Sequence, residues 1–125
     1  MTANQNVKPL GLQAPLCRLE DIPDGGARGV SVQVGEQWDL ILLRHGEAVR
    51  AFHNECPHAG RNLDYAPGQF LVRGQRITCA VHGAVFDTQS GACCGGPARS
   101  GLVAVPLTVV DGAVWLAAAL AADTP

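Results

Sequence analysis

Lysine is nearly missing. Lys8 is the single example in 125 residues, and nine basic side chains face eleven acidic ones, for a net charge of −2. A chain that grips a phosphate backbone needs a basic patch, and none is visible, so nucleic acid is excluded as a partner. Long apolar runs are missing as well. The longest, Leu40–Leu43 and Ala113–Ala122, stay well under the roughly 20 residues of a membrane helix. The opening stretch MTANQNVKPLGLQ has no apolar core behind a positive region. No secretory leader is therefore expected, and the expected compartment is the cytoplasm, with no membrane partner. Five cysteines are too few and too irregular for the disulfide framework of a small secreted scaffold. No window sustains a helical period, and there is no paired-carboxylate site, no Ser-His-Asp set and no phosphate-cradling loop.

What remains is a globular composition, 47% hydrophobic and 16% charged, in a chain long enough for one domain with a real core. The pattern reads as strand. Arg28–Val34, Trp38–Arg44 and Glu47–Phe52 are apolar or β-branched runs of strand length, with a tight turn expected at His45–Gly46. Near the C-terminus, VPLTVV and AVWLA flank Asp111–Gly112, a dipeptide suited to a hairpin turn that needs positive φ. The run Leu116–Ala122 is read as a short terminal helix or a strand end with a tail. Between the strand-rich ends, residues 54–99 are dense in Gly, Pro, Cys and His. This shift predicts an irregular, loop-built subdomain inserted into an all-β antiparallel scaffold, too small to have its own core without a staple. The domain is expected to span residues 14–120, with residues 1–13 and 121–125 as flexible termini.

The staple is legible in two short motifs. Cys56-Pro57-His58-Ala59-Gly60 is Cys-x-His-x-Gly, and Cys79-Ala80-Val81-His82-Gly83 is Cys-x-x-His-Gly. A lone Cys or His is usually packing. Two matched motifs that each offer a thiol and an imidazole point to metal in a reducing compartment. One reading is a closed tetrahedral Zn²⁺ site with Cys₂His₂ ligation. The other is a two-iron cluster in which one iron takes two Cys and the other two His. Zinc fingers favour short segments that each carry one ligand type. Here each segment carries one of each, which suits two irons.

The boxes CPHAG and CAVHG resemble the two cluster-binding segments of the Rieske [2Fe–2S] family. GGPA at Gly95–Ala98 resembles the proline loop that covers the cluster in that family, and FDTQSGA at Phe86–Ala92 resembles the approach to it. The likeness runs from about Cys17 to Leu116. It implies one [2Fe–2S] cluster per chain, with Cys56 and Cys79 on the inner iron and His58 and His82 on the outer one. It also implies an apolar collar of Pro57, Ala59, Ala80, Val81, Pro97 and Ala98.

Departures from the family's respiratory members bear on potential. Those members carry a further Cys in each box, which together form a disulfide, at positions held here by Arg61 and Val81. They also place a Ser and a Tyr after the second box, whose hydroxyls donate to cluster sulfurs. Here Ala84 and Phe86 stand in those places and donate nothing. Reduction adds negative charge, and donors aimed at sulfur stabilise it, so their loss predicts a centre near the low end of the Rieske range, about −150 mV. Ferric iron acidifies a bound imidazole, so the potential is also expected to fall at alkaline pH.

The organisation is similar to that of soluble Rieske ferredoxins of aromatic-ring dioxygenase systems. That resemblance implies a one-electron carrier and not an enzyme, with a flavin reductase as donor and a terminal oxygenase as acceptor. No mononuclear iron site is evident. A Rieske-like small subunit of nitrite reductase and a zinc-stabilised interaction module are the alternatives. Cys17 is expected to be a packed thiol in an early strand, and His45 to be solvated. His53 is expected to order the first loop. Cys93 and Cys94 are expected not to bridge each other, because adjacent Cα atoms lie about 3.8 Å apart, below the usual disulfide range of about 4.4–6.8 Å.

Overall fold

A computed structural model describes residues 15–34, 36–56, 62–66, 68–80, 83–96 and 100–117. Among these, the chain is almost entirely β. The elements are β1 (Cys17–Arg18), a 3₁₀ turn at Leu19–Asp21, β2 (Ala27–Val34), β3 (Glu36–His45), β4 (Ala48–His53), β5 (Leu71–Arg73), β6 (Arg76–Thr78), β7 (Val85–Asp87), β8 (Cys93–Gly95), β9 (Ala104–Val105), β10 (Leu107–Val110) and β11 (Ala113–Leu116). They pair into three antiparallel sheets, ordered β1-β11-β10, β2-β3-β4-β9 and β5-β6-β7-β8.

The run Leu40–Leu43 explains how the sheets stack. Alternate residues of a strand face opposite ways, so an unbroken apolar run means burial on both faces. Ile41 and Leu43 enter one core with Phe52, Leu63, Ile77, Ala84, Phe86, Leu102 and the thiols of Cys56 and Cys79. Leu40 and Leu42 enter a second core with Ile22, Val49, Ala51, Val105, Val114 and Leu116. β3 is therefore a shared wall. One face carries the β1-β11-β10 layer, and the other faces the β5–β8 layer that holds the second Cys/His box.

Both hairpins foreseen in the sequence form, one with a corrected turn. Asp111 and Gly112 adopt φ of 51° and 77°, and Val110 pairs with Ala113 around them. Positive φ at both central residues is the requirement that Asp-Gly meets. Between β3 and β4 the turn is Gly46–Glu47 and not His45–Gly46, because His45 still pairs with Ala48. Gly46 takes the positive φ, 64°, as the first central residue, and its N–H donates to Asp24 Oδ1 at 2.8 Å. Leu116 ends β11, and the Ala117 N–H donates to the Pro106 carbonyl at 3.1 Å. The rest of the Leu116–Ala122 run and both termini lie outside the described residues. The 54–99 region is more regular than its composition suggested, since Leu71–Gly95 supplies a four-stranded sheet. Its strands are three residues each, too short to show an alternation among the glycines and cysteines.

Candidate metal centre

The first box leaves the end of β4. His53 is the last strand residue, and its N–H donates to the Val103 carbonyl at 2.9 Å. Its ring meets Trp38 edge-on, with centroids 4.9 Å apart, which fixes the strand end before the loop begins. The extended alternation then continues: Asn54 turns inward, Glu55 outward and Cys56 inward, where it is fully buried.

The second box is the loop joining β6 to β7. Thr78 pairs with Val85, so residues 79–84 form the connection. The Cys79 N–H donates to the Ala84 carbonyl at 2.7 Å, and the Gly83 N–H donates to the Cys79 carbonyl at 2.9 Å. Gly83 has φ of +79°, a conformation that glycine adopts without penalty. Cys79 is 1% exposed. Ala84 and Phe86 are fully buried in the core that holds both thiols.

Of the segment resembling a proline loop, Gly95 and Gly96 are described. A Cβ on Gly96 would lie 2.6 Å from Ala84 Cα and 2.8 Å from the Gly83 carbonyl oxygen, so the chain leaving β8 is pressed onto the second box. Ahead of it, Asp87 Oδ1 accepts the N–H groups of Gln89 and Ser90 at 2.7 and 3.0 Å. The bonds from Ser90 and Gln89 hold the Asp87 carboxyl below its ordinary value.

The structure thus brings Cys56 and Cys79 from two different sheets into one apolar core. His58 and His82 lie outside the described residues, as do Pro57, Ala59, Arg61, Val81, Pro97 and Ala98. The donor chemistry fits an iron–sulfur group. The two thiols are buried in one apolar core with Leu63, Ile77, Ala84 and Phe86, and soft thiolates suit iron–sulfur ligation.

The other cysteines sort by position. Cys17 lies in β1 and packs against the second core; burial pushes its thiol up, as a packed cysteine requires. Cys93 packs against the core of Cys56 and Cys79, and its Sγ contacts the Gly95 carbonyl at 3.5 Å. Cys94 is exposed, at a register shift opposite Val85–Phe86. His45 is exposed, as expected.

One residue went unnoticed in the sequence. Asn54 is 7% exposed, and its side chain takes the Leu63 N–H and reaches Asp64. An Asn just past a strand end looks like ordinary turn chemistry. Only the spatial return of residue 63 reveals its role.

A model of the Rieske [2Fe–2S] domain matches residues 13–107. The 3-phenylpropionate/cinnamic acid dioxygenase ferredoxin subunit of Photorhabdus laumondii is 27% identical over 101 residues, covering 81% of this chain and 90% of that protein. Among solved structures, a complex of reduced oxygenase and oxidized ferredoxin in carbazole 1,9a-dioxygenase contains a similar chain. It gives a TM-score of 0.70 at 26% identity, covering 83% of this chain and 91% of that one. The ferredoxin of Sphingomonas yanoikuyae B1 gives a TM-score of 0.68 at 26% identity, covering 82% of this chain and 95% of that one.

Proposed function

Because this chain belongs to the Rieske [2Fe–2S] domain family, we propose that it is a one-electron carrier that takes electrons from a flavin reductase and delivers them to a terminal oxygenase. The observation that carries this reading is the burial of Cys56 and Cys79 in one apolar core at the ends of two separate loops. Its relatives support the acceptor: a dioxygenase ferredoxin subunit and a ferredoxin seen with its oxygenase. Among the described residues no helix is long and apolar enough to cross a membrane. The proposed setting is the cytoplasm, where thiols stay reduced and available to iron.

When bound, the [2Fe–2S] cluster takes up and gives back one electron at a time. Cys56 and Cys79 would hold one iron as thiolates, and His58 and His82 would hold the other as neutral imidazoles. The protein's own contribution is positional and electrostatic. The Cys79–Ala84 and Gly83–Cys79 bonds set the second loop's shape. Leu63, Ile77 and Phe86 keep water from the sulfur side. Ala84 and Phe86 bring no hydroxyl to that side, which favours the low-potential range suited to a flavin donor. Residues 14–120 serve as a single Rieske domain, with 54–99 as its cluster-binding part, and the carrier performs no catalysis of its own.

The test is spectroscopic and then kinetic. Protein purified without oxygen should be red-brown, with a Rieske-type EPR signal after reduction. Mixed with an oxidised terminal oxygenase of the aromatic-ring dioxygenase class, the reduced protein should return to its oxidised spectrum. A colourless protein with one zinc per chain would overturn the reading.

A further inference from the structure

We propose that Asn54 is the positioning residue of the first ligand loop. Its side chain holds the Leu63 backbone at the far side of the first box and, through that backbone, ties the first box to the second. This inference rests on the cluster reading above, though not on any donor, acceptor or potential.

The geometry runs as one connected path. The Asn54 backbone N–H donates to the Asp39 carbonyl at 2.8 Å, which anchors it to β3. Its Oδ1 accepts the buried Leu63 N–H at 2.8 Å. The Leu63 carbonyl accepts the Ala80 N–H at 3.2 Å, immediately after Cys79. Cys56 lies two residues past the start of this path, and Cys79 adjoins its end. Meanwhile Asn54 Nδ2 donates to Asp64 Oδ1 at 3.3 Å, and Asp64 Oδ2 accepts the Gly68 N–H at 3.1 Å. The carboxylate therefore stops the amide from rotating out of register. Leu63 is fully buried, so its N–H has little access to water as a substitute acceptor.

The position asks for one acceptor and one donor on a short, neutral side chain. Asn supplies both. Asp would keep the acceptor but set a second carboxylate against Asp64. Ala would leave the Leu63 N–H buried without its acceptor, which corresponds to roughly a 5–150-fold weaker hold of Leu63 against residue 54. That weaker hold loosens the backbone on either side of Cys56, the proposed thiolate ligand.

The test uses the holo-protein and follows cluster loss to an excess of iron chelator by bleaching of the visible absorption. Four proteins are compared: wild type, Asn54→Ala, Asn54→Asp, and the exchange Asn54→Asp with Asp64→Asn. The exchange restores a carboxylate–amide pair with the roles reversed and the net charge unchanged. Asn54→Ala should bleach about 5–150-fold faster than wild type, with a broadened EPR signal in the reduced state. Asn54→Asp should also bleach faster. The exchange should return the rate and the EPR line width toward wild type, which general destabilisation would not do. An Asn54→Ala protein that bleaches at the wild-type rate, or an exchange no slower than Asn54→Asp, overturns the proposal. If Asn54→Ala does not fold, the comparison of Asn54→Asp with the exchange decides it. A colourless wild type overturns the functional reading as well, whereas a coloured wild type with either failure overturns this inference alone.

Discussion

Ala84 and Phe86 lie fully buried in the core that receives both cysteine thiols, and neither carries a donor. Putting hydroxyls there should raise the potential. A hydrogen bond to a charged group is worth about 1.5–3 kcal/mol, and for a one-electron couple a tenfold change in equilibrium is 59 mV. Ala84→Ser and Phe86→Tyr should therefore each raise the midpoint by about 60–130 mV in a redox titration. Cys56→Ser or Cys79→Ser should abolish the cluster, read as loss of colour and of iron. At this scale the sequence was informative where chemistry is carried by residue type. The two boxes and their flanks offered four candidate ligands, of which Cys56 and Cys79 are described and share one core, and the absent hydroxyls could be read from Ala84 and Phe86. Asn54 could not, because its meaning depends on Leu63 and Asp64 folding back onto it.

Elements were legible in proportion to their length and to their turn chemistry. β3 announced itself as an apolar run of strand length at Trp38–Arg44, and the Asp111–Gly112 hairpin because its turn requires positive φ; that Leu40–Leu43 is buried on both faces came from the structure. The strands β5 to β8 did not, since three residues each cannot establish a period. The β3–β4 turn was misplaced by one residue because backbone pairing, which any side chain permits, carries His45 into the strand. Two predictions belong here. Gly96→Ala forces a side chain into φ of +82° and against Ala84, so it should cost at least the roughly 1–3 kcal/mol of such strain. Denaturant unfolding should show this, together with faster cluster loss, because the displaced backbone is the second box. The turn after β7 should loosen in acid. The Asp87 carboxyl is held below its ordinary value by the Ser90 and Gln89 N–H groups. Its contribution is therefore present above the unfolded-state value and is lost as pH falls through the lower folded-state value. Amide exchange at Gln89 and Ser90 should rise relative to Asp87→Asn as pH drops below about 4.

At the scale of the molecule, three small sheets share two cores across a single wall, and the two loops that carry Cys56 and Cys79 spring from different sheets on the same side of it. That arrangement lets a chain of 125 residues hold a cofactor without a disulfide framework. All-β class and the single cofactor could be foreseen from strand-length runs and matched boxes. The stacking could not, because it depends on pairings between residues distant in sequence, such as Cys17 with Val114. A carrier fed by a flavin donor needs a [2Fe–2S] centre of low potential, and an EPR-monitored redox titration of the purified protein at neutral pH measures that potential. The predicted result is a one-electron transition of a Rieske-type signal near −150 mV. A midpoint well above zero, or no signal at any potential, would contradict it.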